Sequence, residues 1–236
     1  MAQLLSSKNL LLSTRPLTVG VASQPEAISA FLGLSLEERL ATCDLIELRL
    51  DLLQVDTDEL QHVIPMLGVP VLLTARHPDE GGQGTRDAAG RRALLEPLID
   101  LAALIDIELR SAMDMRDIMA RARSRSVGVI GSFHDFSATP GIEVLTGAMD
   151  FAQTAGFDAV KFATYLNGPD DLMRLMSLVA GKRRLPMSAM GMGQLGRVSR
   201  LTLAKLGSLL NYGYLGESNA PGQWPSRQLK DLLNDL

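Results

Sequence analysis

Leu45-Ile46-Glu47-Leu48-Arg49-Leu50-Asp51 is the stretch that decides the fold class of this 236-residue chain. Successive side chains of a β-strand point to opposite faces, so the three charged residues share one face and the aliphatic residues share the other. Both faces of a parallel barrel strand are covered, and unpaired buried charges are costly. We therefore expect the charged face to line the mouth of a barrel.

Apolar runs rich in β-branched residues recur along the whole chain. Stretches with helical spacing lie between them, including Ser35–Cys43 and Pro169–Ala180. Eight strands that alternate with helices predict an α/β protein with a single (β/α)8 TIM barrel, and a doubly wound open sheet is the alternative. The predicted strands are Leu17–Ala22, Asp44–Leu50, Val69–Ala75, Ala103–Leu109, Val127–Ser132, Asp158–Ala163, Arg184–Ala189 and Leu206–Tyr212.

The composition suits one large α/β domain or two smaller ones, because 46% of the residues are hydrophobic. No linker rich in proline, glycine or serine is long enough to divide the chain. We therefore expect one catalytic barrel domain over residues 1–236, in which residues 1–16 form an extension before the first strand.

Several classes of function and location are disfavoured by the sequence. The net charge of -4 leaves no basic face for nucleic acid, and no window is long and apolar enough to span a bilayer. The N-terminus lacks the layout of a secretory signal, and the single cysteine, Cys43, fits a reducing compartment, so we expect a cytoplasmic protein. The histidines, His62, His77 and His134, are scattered without metal-ligand spacing, so we expect no metal site.

Polar residues able to do chemistry follow or occupy the predicted strands, as a barrel active site requires. Each taken singly is well explained as part of a structural ion pair, such as Glu47 with Arg49. Several acids and bases from different strands at one end of a barrel are more typical of a functional site. Besides the second strand, these residues are Arg76, Glu80, Asp106, Glu108, His134 and Lys161.

Lys161 is the residue with the most specific chemical implication. It lies within Asp158–Thr164, where alternation places it on the same side as the small residues Ala159 and Ala163. Partial desolvation there would favour the free amine, which attacks a carbonyl to form an imine. The alternative is a lysine on an edge strand whose ammonium group reaches water.

Two glycine-rich segments resemble nucleotide-binding loops, but one lies at the wrong place in the fold and the other lacks the residues that grip phosphate. Gly191–Gly196 matches G-x-G-x-x-G but follows the seventh strand, whereas a dinucleotide fingerprint belongs to the first βαβ unit. We interpret it as a loop leading to Arg200, which can clamp a carboxylate with two hydrogen bonds. Asp79–Gly84 lacks the Lys-Ser/Thr ending of a phosphate loop, so we interpret it as a mobile loop that presents Glu80.

A larger set of motifs, in order along nearly the whole chain, closely resembles type I 3-dehydroquinate dehydratase. That resemblance implies a (β/α)8 lyase of the shikimate pathway that needs no metal or organic cofactor and is commonly a dimer. The motifs are Glu47-x-Arg49, Arg76 with Glu80-Gly81-Gly82, Ser132-Phe133-His134-Asp135-Phe136, Lys161, Gly196 to Ser199-Arg200, and Ala220-Pro221-Gly222-Gln223.

The resemblance also implies a role for each site residue. Lys161 would condense with the ketone of 3-dehydroquinate, and the iminium would acidify the neighbouring carbon. His134 would move protons during loss of water, with Glu80 orienting it. Arg200 would bind the substrate carboxylate. The remaining substrate contacts would be Gln223, Arg76 and the Glu47–Arg49 pair, with an apolar wall of Met190, Met192, Phe136 and Tyr212 that keeps the pKa of the amine low.

Two positions depart from the family pattern. Asn219 stands before Ala220–Gln223 where serine is usual, and Gly20, with Ser23 nearby, stands where the first strand often offers a serine. These departures concern substrate contacts rather than reacting groups. Two other functions stay open: another imine-forming barrel enzyme such as an aldolase, which the Arg200 context disfavours, and a non-catalytic binding protein that has kept the fold.

Overall fold

Eight parallel strands alternate with helices in the computed structural model, which describes residues 7–84, 87–182, 184–218 and 220–235. The strands are β1 (Leu17–Ala22), β2 (Leu45–Arg49), β3 (Val71–Thr74), β4 (Leu104–Glu108), β5 (Gly128–Asp135), β6 (Ala159–Tyr165), β7 (Met187–Met192) and β8 (Leu210–Leu215). The helices are α1 (Ser7–Leu11), α2 (Pro25–Gly33), α3 (Leu36–Thr42), α4 (Thr57–Val63), α5 (Ala88–Leu95), α6 (Arg116–Ser124), α7 (Ile142–Thr154), α8 (Pro169–Ala180), α9 (Gly196–Lys205) and α10 (Ser226–Asp235).

The strands follow the order β7-β6-β5-β4-β3-β2-β1-β8, so β7 and β8 are the two ends that must meet. At this seam the Leu209 amide donates to the Met187 carbonyl at 2.8 Å. Two serine hydroxyls complete the seam: Ser188 accepts from the Leu210 amide at 3.0 Å and Ser208 accepts from the Ala189 amide at 2.9 Å. These bonds close the sheet, which confirms the (β/α)8 barrel and makes the open-sheet alternative wrong.

The alternation of side chains divides the core into two layers. Ala159 and Ala163 on β6 belong to a cluster inside the barrel, whereas Val160 and Phe162 pack in the layer between the strands and the helices. The opposite faces of β6 therefore point as predicted, and Lys161 points inward with the alanines.

The two predicted helices are confirmed. Ser35 caps α3 by accepting from the Glu38 amide at 3.2 Å, and the Glu38 carboxylate accepts from the Ser35 amide at 2.8 Å. This capping box fixes the start of α3. Pro169 begins α8, where its fixed φ and missing N–H are tolerated.

The predicted bounds of three strands were wrong by three or more residues at one end or both. The seventh strand begins at Met187 rather than Arg184, and Pro186 just before it has no N–H to donate to a ladder. The eighth begins at Leu210 rather than Leu206, because Gly207, with φ of 108°, ends α9 instead. The fifth extends to Asp135, so His134 lies within β5 rather than after it.

Among the described residues, the longest helices are too short or too polar to pass through a lipid bilayer.

Candidate active site

A cleft opens at the carboxyl ends of the strands, where the loops after the strands meet. About 590 Å³ of space lies between its walls, including open solvent at its mouth. Twelve of the side chains predicted from the sequence line it, and Asn219 lies outside the described residues. The twelve are Glu47, Arg49, Arg76, Glu80, His134, Phe136, Lys161, Met190, Met192, Arg200, Tyr212 and Gln223.

Lys161 is buried at the base of this cleft. β6 pairs with β5 on one side and β7 on the other, so the interpretation of an edge-strand lysine that reaches water was wrong. The amine also has charged neighbours besides the expected apolar side chains, because Lys161 Nζ lies 3.1 Å from Asp106 Oδ2 and 3.8 Å from Glu47 Oε1. Two carboxylates, one from β4 and one from β2, therefore hold the amine in place.

The ring of Tyr212, on β8, completes the surroundings of the lysine. Lys161 Nζ lies 4.1 Å from the ring centroid, a distance at which the ring face attracts a cation. Burial, together with the charges of Glu47 and Asp106, raises the pKa of the Tyr212 hydroxyl well above its usual value. Tyr212 is thus neutral and acts on the lysine through its ring face.

Arg76 connects the carboxylates of β4. Its NH1 donates to Asp106 Oδ1 at 2.8 Å, to Glu108 Oε1 at 2.9 Å and to Ser132 Oγ at 2.6 Å. Burial alone would raise the pKa of Asp106, but Arg76 and Lys161 hold it well below its usual range. Asp106 is therefore a fixed negative charge beside the lysine rather than a proton acceptor.

A second arginine lies behind this network. Arg91 NH1 donates to Glu108 Oε2 at 2.6 Å and NH2 donates to Ser111 Oγ at 3.0 Å. Glu108, which is fully buried, also accepts from the His77 amide at 2.9 Å. This carboxylate thereby fixes both the Arg76 guanidinium and the backbone that follows it.

The Glu47–Arg49 pair expected from the sequence does not form. Arg49 instead makes a two-pronged contact with Asp51, with Nε to Oδ1 at 3.1 Å and NH2 to Oδ2 at 3.0 Å. Glu47 accepts from Thr74 Oγ1 at 2.7 Å and faces Lys161. Glu47 lies deeper along β2, so its partners, Thr74 and Lys161, come from β3 and β6.

His134 and Glu80 form a buried dyad at the wall of the cleft. Glu80 Oε2 lies 2.9 Å from His134 Nδ1 and also accepts from the His134 amide at 2.9 Å. Burial, and then the charges of Arg76 and Lys161, hold the pKa of His134 well below its usual value. Burial raises the pKa of Glu80 to about 7 in spite of Arg76. A neutral imidazole that donates from Nδ1 to Glu80 leaves Nε2 free to accept a proton.

The apolar wall is built from residues at different depths. Met190 and Met192 on β7 are buried, whereas Phe136, just after β5, is 46% exposed at the mouth. The rings of Phe136 and His134 stack with their centroids 6.5 Å apart. Phe136 thus covers the imidazole on the solvent side.

Arg200 is a buried cation on α9 whose protein partners are uncharged. Its Nε donates to the Gly222 carbonyl at 3.2 Å and its NH1 donates to the Tyr212 carbonyl at 3.0 Å. Both of these acceptors are backbone carbonyls, and burial lowers the pKa of Arg200 to about 10. It therefore stays protonated at neutral pH and is suited to hold a ligand anion.

The glycine loop after β7 serves close backbone packing. Gly196 begins α9, and a Cβ added there would lie 2.9 Å from the Cα of Gly222. This approach carries the segment with Gln223 over Arg200, so Gln223 lines the same cleft. The glycines of this loop therefore allow it to pack against the segment after β8, and this packing explains them without a dinucleotide-binding role.

On the first strand, the position aligned with a substrate-facing serine was wrong. A Cβ added to Gly20 would lie 3.1 Å from both the Cys43 sulfur and Leu215, in the layer outside the barrel. Val21, the next residue, lines the cleft instead. Gly20 therefore does not remove a substrate contact.

The sequence named Asp106 as a polar residue of the fourth strand and Ser132 as part of a motif, but it gave neither residue a role in the site. Their importance comes from cross-strand contacts to Arg76 and Lys161, which no local pattern shows. Among the described residues, no group of three or more His, Cys, Asp and Glu side chains could hold a metal ion.

The model of the family described as type I 3-dehydroquinase matches residues 34–236. The chain belongs to this family. Among curated relatives, the 3-dehydroquinate dehydratase of Pyrobaculum aerophilum is 37% identical over 193 residues, 79% of this chain and 60% of that protein. That of Thermodesulfovibrio yellowstonii is 32% identical over 204 residues, 84% of this chain and 86% of that protein.

Solved structures of the family share the fold over nearly the whole chain. The 3-dehydroquinate dehydratase of Geobacillus kaustophilus has a TM-score of 0.84 at 26% identity and covers 100% of this chain and 96% of its own. The type I enzyme of Clostridium difficile, solved with covalently modified comenic acid, has a TM-score of 0.82 at 26% identity, over 95% and 93% of the two chains. Type I 3-dehydroquinases dehydrate 3-dehydroquinate in the shikimate pathway through a Schiff base, and this chain is a lyase of that kind.

Proposed function

We propose that this chain converts 3-dehydroquinate to 3-dehydroshikimate with Lys161 as the Schiff-base nucleophile. The observation that carries the assignment is the burial of Lys161 at the base of the cleft, against Asp106 and facing the wall that holds His134. Lys161 Nζ attacks the ketone carbon, and water leaves as the iminium forms. The iminium then draws electrons from the adjacent carbon, which makes its hydrogen acidic.

His134 is the group proposed to move protons in the elimination. Its depressed pKa keeps the imidazole neutral, so Nε2 can accept the proton from the carbon next to the iminium. The resulting imidazolium is stabilised by Glu80 and donates a proton to the departing hydroxyl, which leaves as water. Hydrolysis of the product iminium then restores Lys161.

The charges of the site favour a substrate that carries one carboxylate. Arg49 is paired with Asp51, and the cations Lys161, Arg76 and Arg91 are offset by Asp106, Glu47 and Glu108. Arg200 adds a positive charge without a carboxylate partner among the described residues. We propose that it binds the substrate carboxylate, with Gln223, Arg76, Arg49 and Glu47 holding the hydroxyls.

Borohydride reduction in the presence of 3-dehydroquinate tests this function. An imine at Lys161 would be trapped as a secondary amine, and peptide mass spectrometry would locate a single adduct on that residue. Product analysis separates the alternatives. An aldolase would give the same kind of adduct but would break a carbon–carbon bond, and a non-catalytic binding protein would give neither adduct nor product.

Arg200→Lys is expected to raise KM for 3-dehydroquinate roughly 10- to 100-fold, with a smaller effect on kcat. Lysine keeps the charge but loses the planar fork, and hydrogen bonds to charged groups contribute about 1.5–3 kcal/mol. Steady-state kinetics measures the effect. Arg227→Lys, on the exposed face of α10, is the matched control. An unchanged KM for Arg200→Lys would place the carboxylate elsewhere.

We also propose that the protein is a homodimer of single-domain subunits in the cytoplasm. The family resemblance supports the dimer, and the single cysteine of the sequence, Cys43, fits a reducing compartment. Sedimentation equilibrium would give the subunit count.

A further inference from the structure

The segment from Arg76 to Gln83 forms a compact loop after β3 that carries Glu80. Inside it, the His77 carbonyl accepts from the Glu80 amide at 2.9 Å and from the Gly82 amide at 3.0 Å. A Cβ on Gly82 would lie 2.2 Å from the Arg76 carbonyl oxygen, so the chain folds back on itself too closely for any other residue. The direction of the Glu80 side chain therefore depends on how the ends of this loop are held.

One carboxylate holds both ends. Asp51 Oδ1 accepts from the Arg76 amide at 3.2 Å, and Asp51 Oδ2 accepts from the Gln83 amide at 3.3 Å. The same oxygens accept the two-pronged contact of Arg49, whose NH2 also donates to the Gly81 carbonyl at 3.2 Å. The Asp51 side chain is 1% exposed, so these four donors are its environment.

We infer that Asp51 is a positioning residue that sets the Glu80–His134 dyad and the Arg49 guanidinium together. Asp51 binds the backbone amides at both ends of the loop, and the conformation of the loop sets the direction of the Glu80 side chain. Glu80 in turn holds the His134 ring through Nδ1. Asp51 fixes Arg49 directly. The inference rests on the proposed function, because it assigns Asp51 an effect on proton transfer by His134.

The change Asp51→Asn removes this arrangement with little change in shape. In the wild-type protein each carboxylate oxygen of Asp51 accepts from one arginine N–H and one backbone N–H. In Asp51→Asn the amide nitrogen replaces one of these oxygens, and because it is itself a donor it cannot accept from either N–H. At least two hydrogen bonds must be lost. The loop and Arg49 are both released, although the buried volume is preserved.

A double-mutant cycle with Glu80→Gln separates positioning from general stability. We expect Asp51→Asn to lower kcat about tenfold, equivalent to ~1.4 kcal/mol, when Glu80 is present. In the Glu80→Gln background, Asp51→Asn should lower kcat by less than about threefold, because the carboxylate that Asp51 positions is already absent. The rise in KM caused by releasing Arg49 should be similar in both backgrounds.

Asp79→Asn is the matched control, since Asp79 lies on the same loop with an exposed side chain paired to Arg110. It should leave kcat and KM unchanged. Thermal melting checks the fold of each variant, and Asp51→Ser takes the place of Asp51→Asn if the latter does not fold. Equal losses of kcat in the two backgrounds, or loss of the fold in both Asp51 variants, would overturn the inference in favour of a purely structural Asp51.

Failure of the inference and failure of the proposed function give different results. If the wild-type protein gives no borohydride adduct and no 3-dehydroshikimate, the proposed function fails whatever Asp51 does. If the wild-type protein turns over and the cycle is additive, only the role of Asp51 fails.

Discussion

Lys161→Ala is expected to abolish the borohydride-trapped adduct and to lower kcat for 3-dehydroquinate by several orders of magnitude. Without the amine no iminium forms, so the carbon next to the ketone stays weakly acidic and His134 has no activated proton to remove. Mass spectrometry after reduction measures the adduct, and steady-state kinetics measures kcat. Far-ultraviolet circular dichroism should show that the barrel is intact, because Asp106 keeps Arg76 and Glu47 keeps Thr74 as partners.

Two further lysine substitutions sharpen this result. Lys161→Arg keeps a positive charge between Asp106 and Glu47, but a guanidinium does not form the imine. Activity should therefore be lost in this variant although the charge of the site is unchanged. Lys205→Ala removes an exposed lysine at the end of α9 and should behave like the wild-type protein. An adduct that survives in Lys161→Ala would move the nucleophile to another lysine.

The faces of the strands could be predicted from the sequence, because alternation is a local property of extended backbone. Glu47 and Lys161 point inward for that reason alone. Their partners could not be predicted in the same way. The pair Glu47–Arg49 and the pair Arg49–Asp51 have the same spacing, and the second forms because Glu47 lies deeper, beside Thr74 and Lys161 of other strands.

The chemical environment of the nucleophile shows the same limit. Small neighbours on β6 predicted an apolar setting for Lys161, yet Asp106 reaches it from β4, two strands away. The stagger and curvature of a closed barrel bring these strands together, and neither is encoded in a single segment. The bounds of the two strands at the seam were missed for a different, local reason: Pro186 delays the start of β7, and Gly207 ends α9 where a strand was predicted.

His134→Ala is expected to lower kcat roughly 10²–10⁴-fold while the imine at Lys161 can still be trapped. Imine formation needs the amine, whereas the elimination needs a base for the adjacent carbon and an acid for the leaving hydroxyl. The measurements are kcat and the mass of the reduced adduct. In the wild-type protein, burial holds the pKa of His134 low, so the base form persists at neutral pH and is lost only as the pH falls through that lowered value.

The control for this change is His62→Ala, because His62 is exposed on α4 and its Nδ1 lies 2.7 Å from the carbonyl oxygen of Asp58 in the same helix. It should leave kcat unchanged. Glu80 and His134 interact and titrate together. The acidic side of the plot of kcat/KM against pH should therefore change shape in His134→Ala and keep its wild-type shape in His62→Ala. Near wild-type turnover in His134→Ala would remove His134 from proton transfer and leave the elimination to a group outside this dyad.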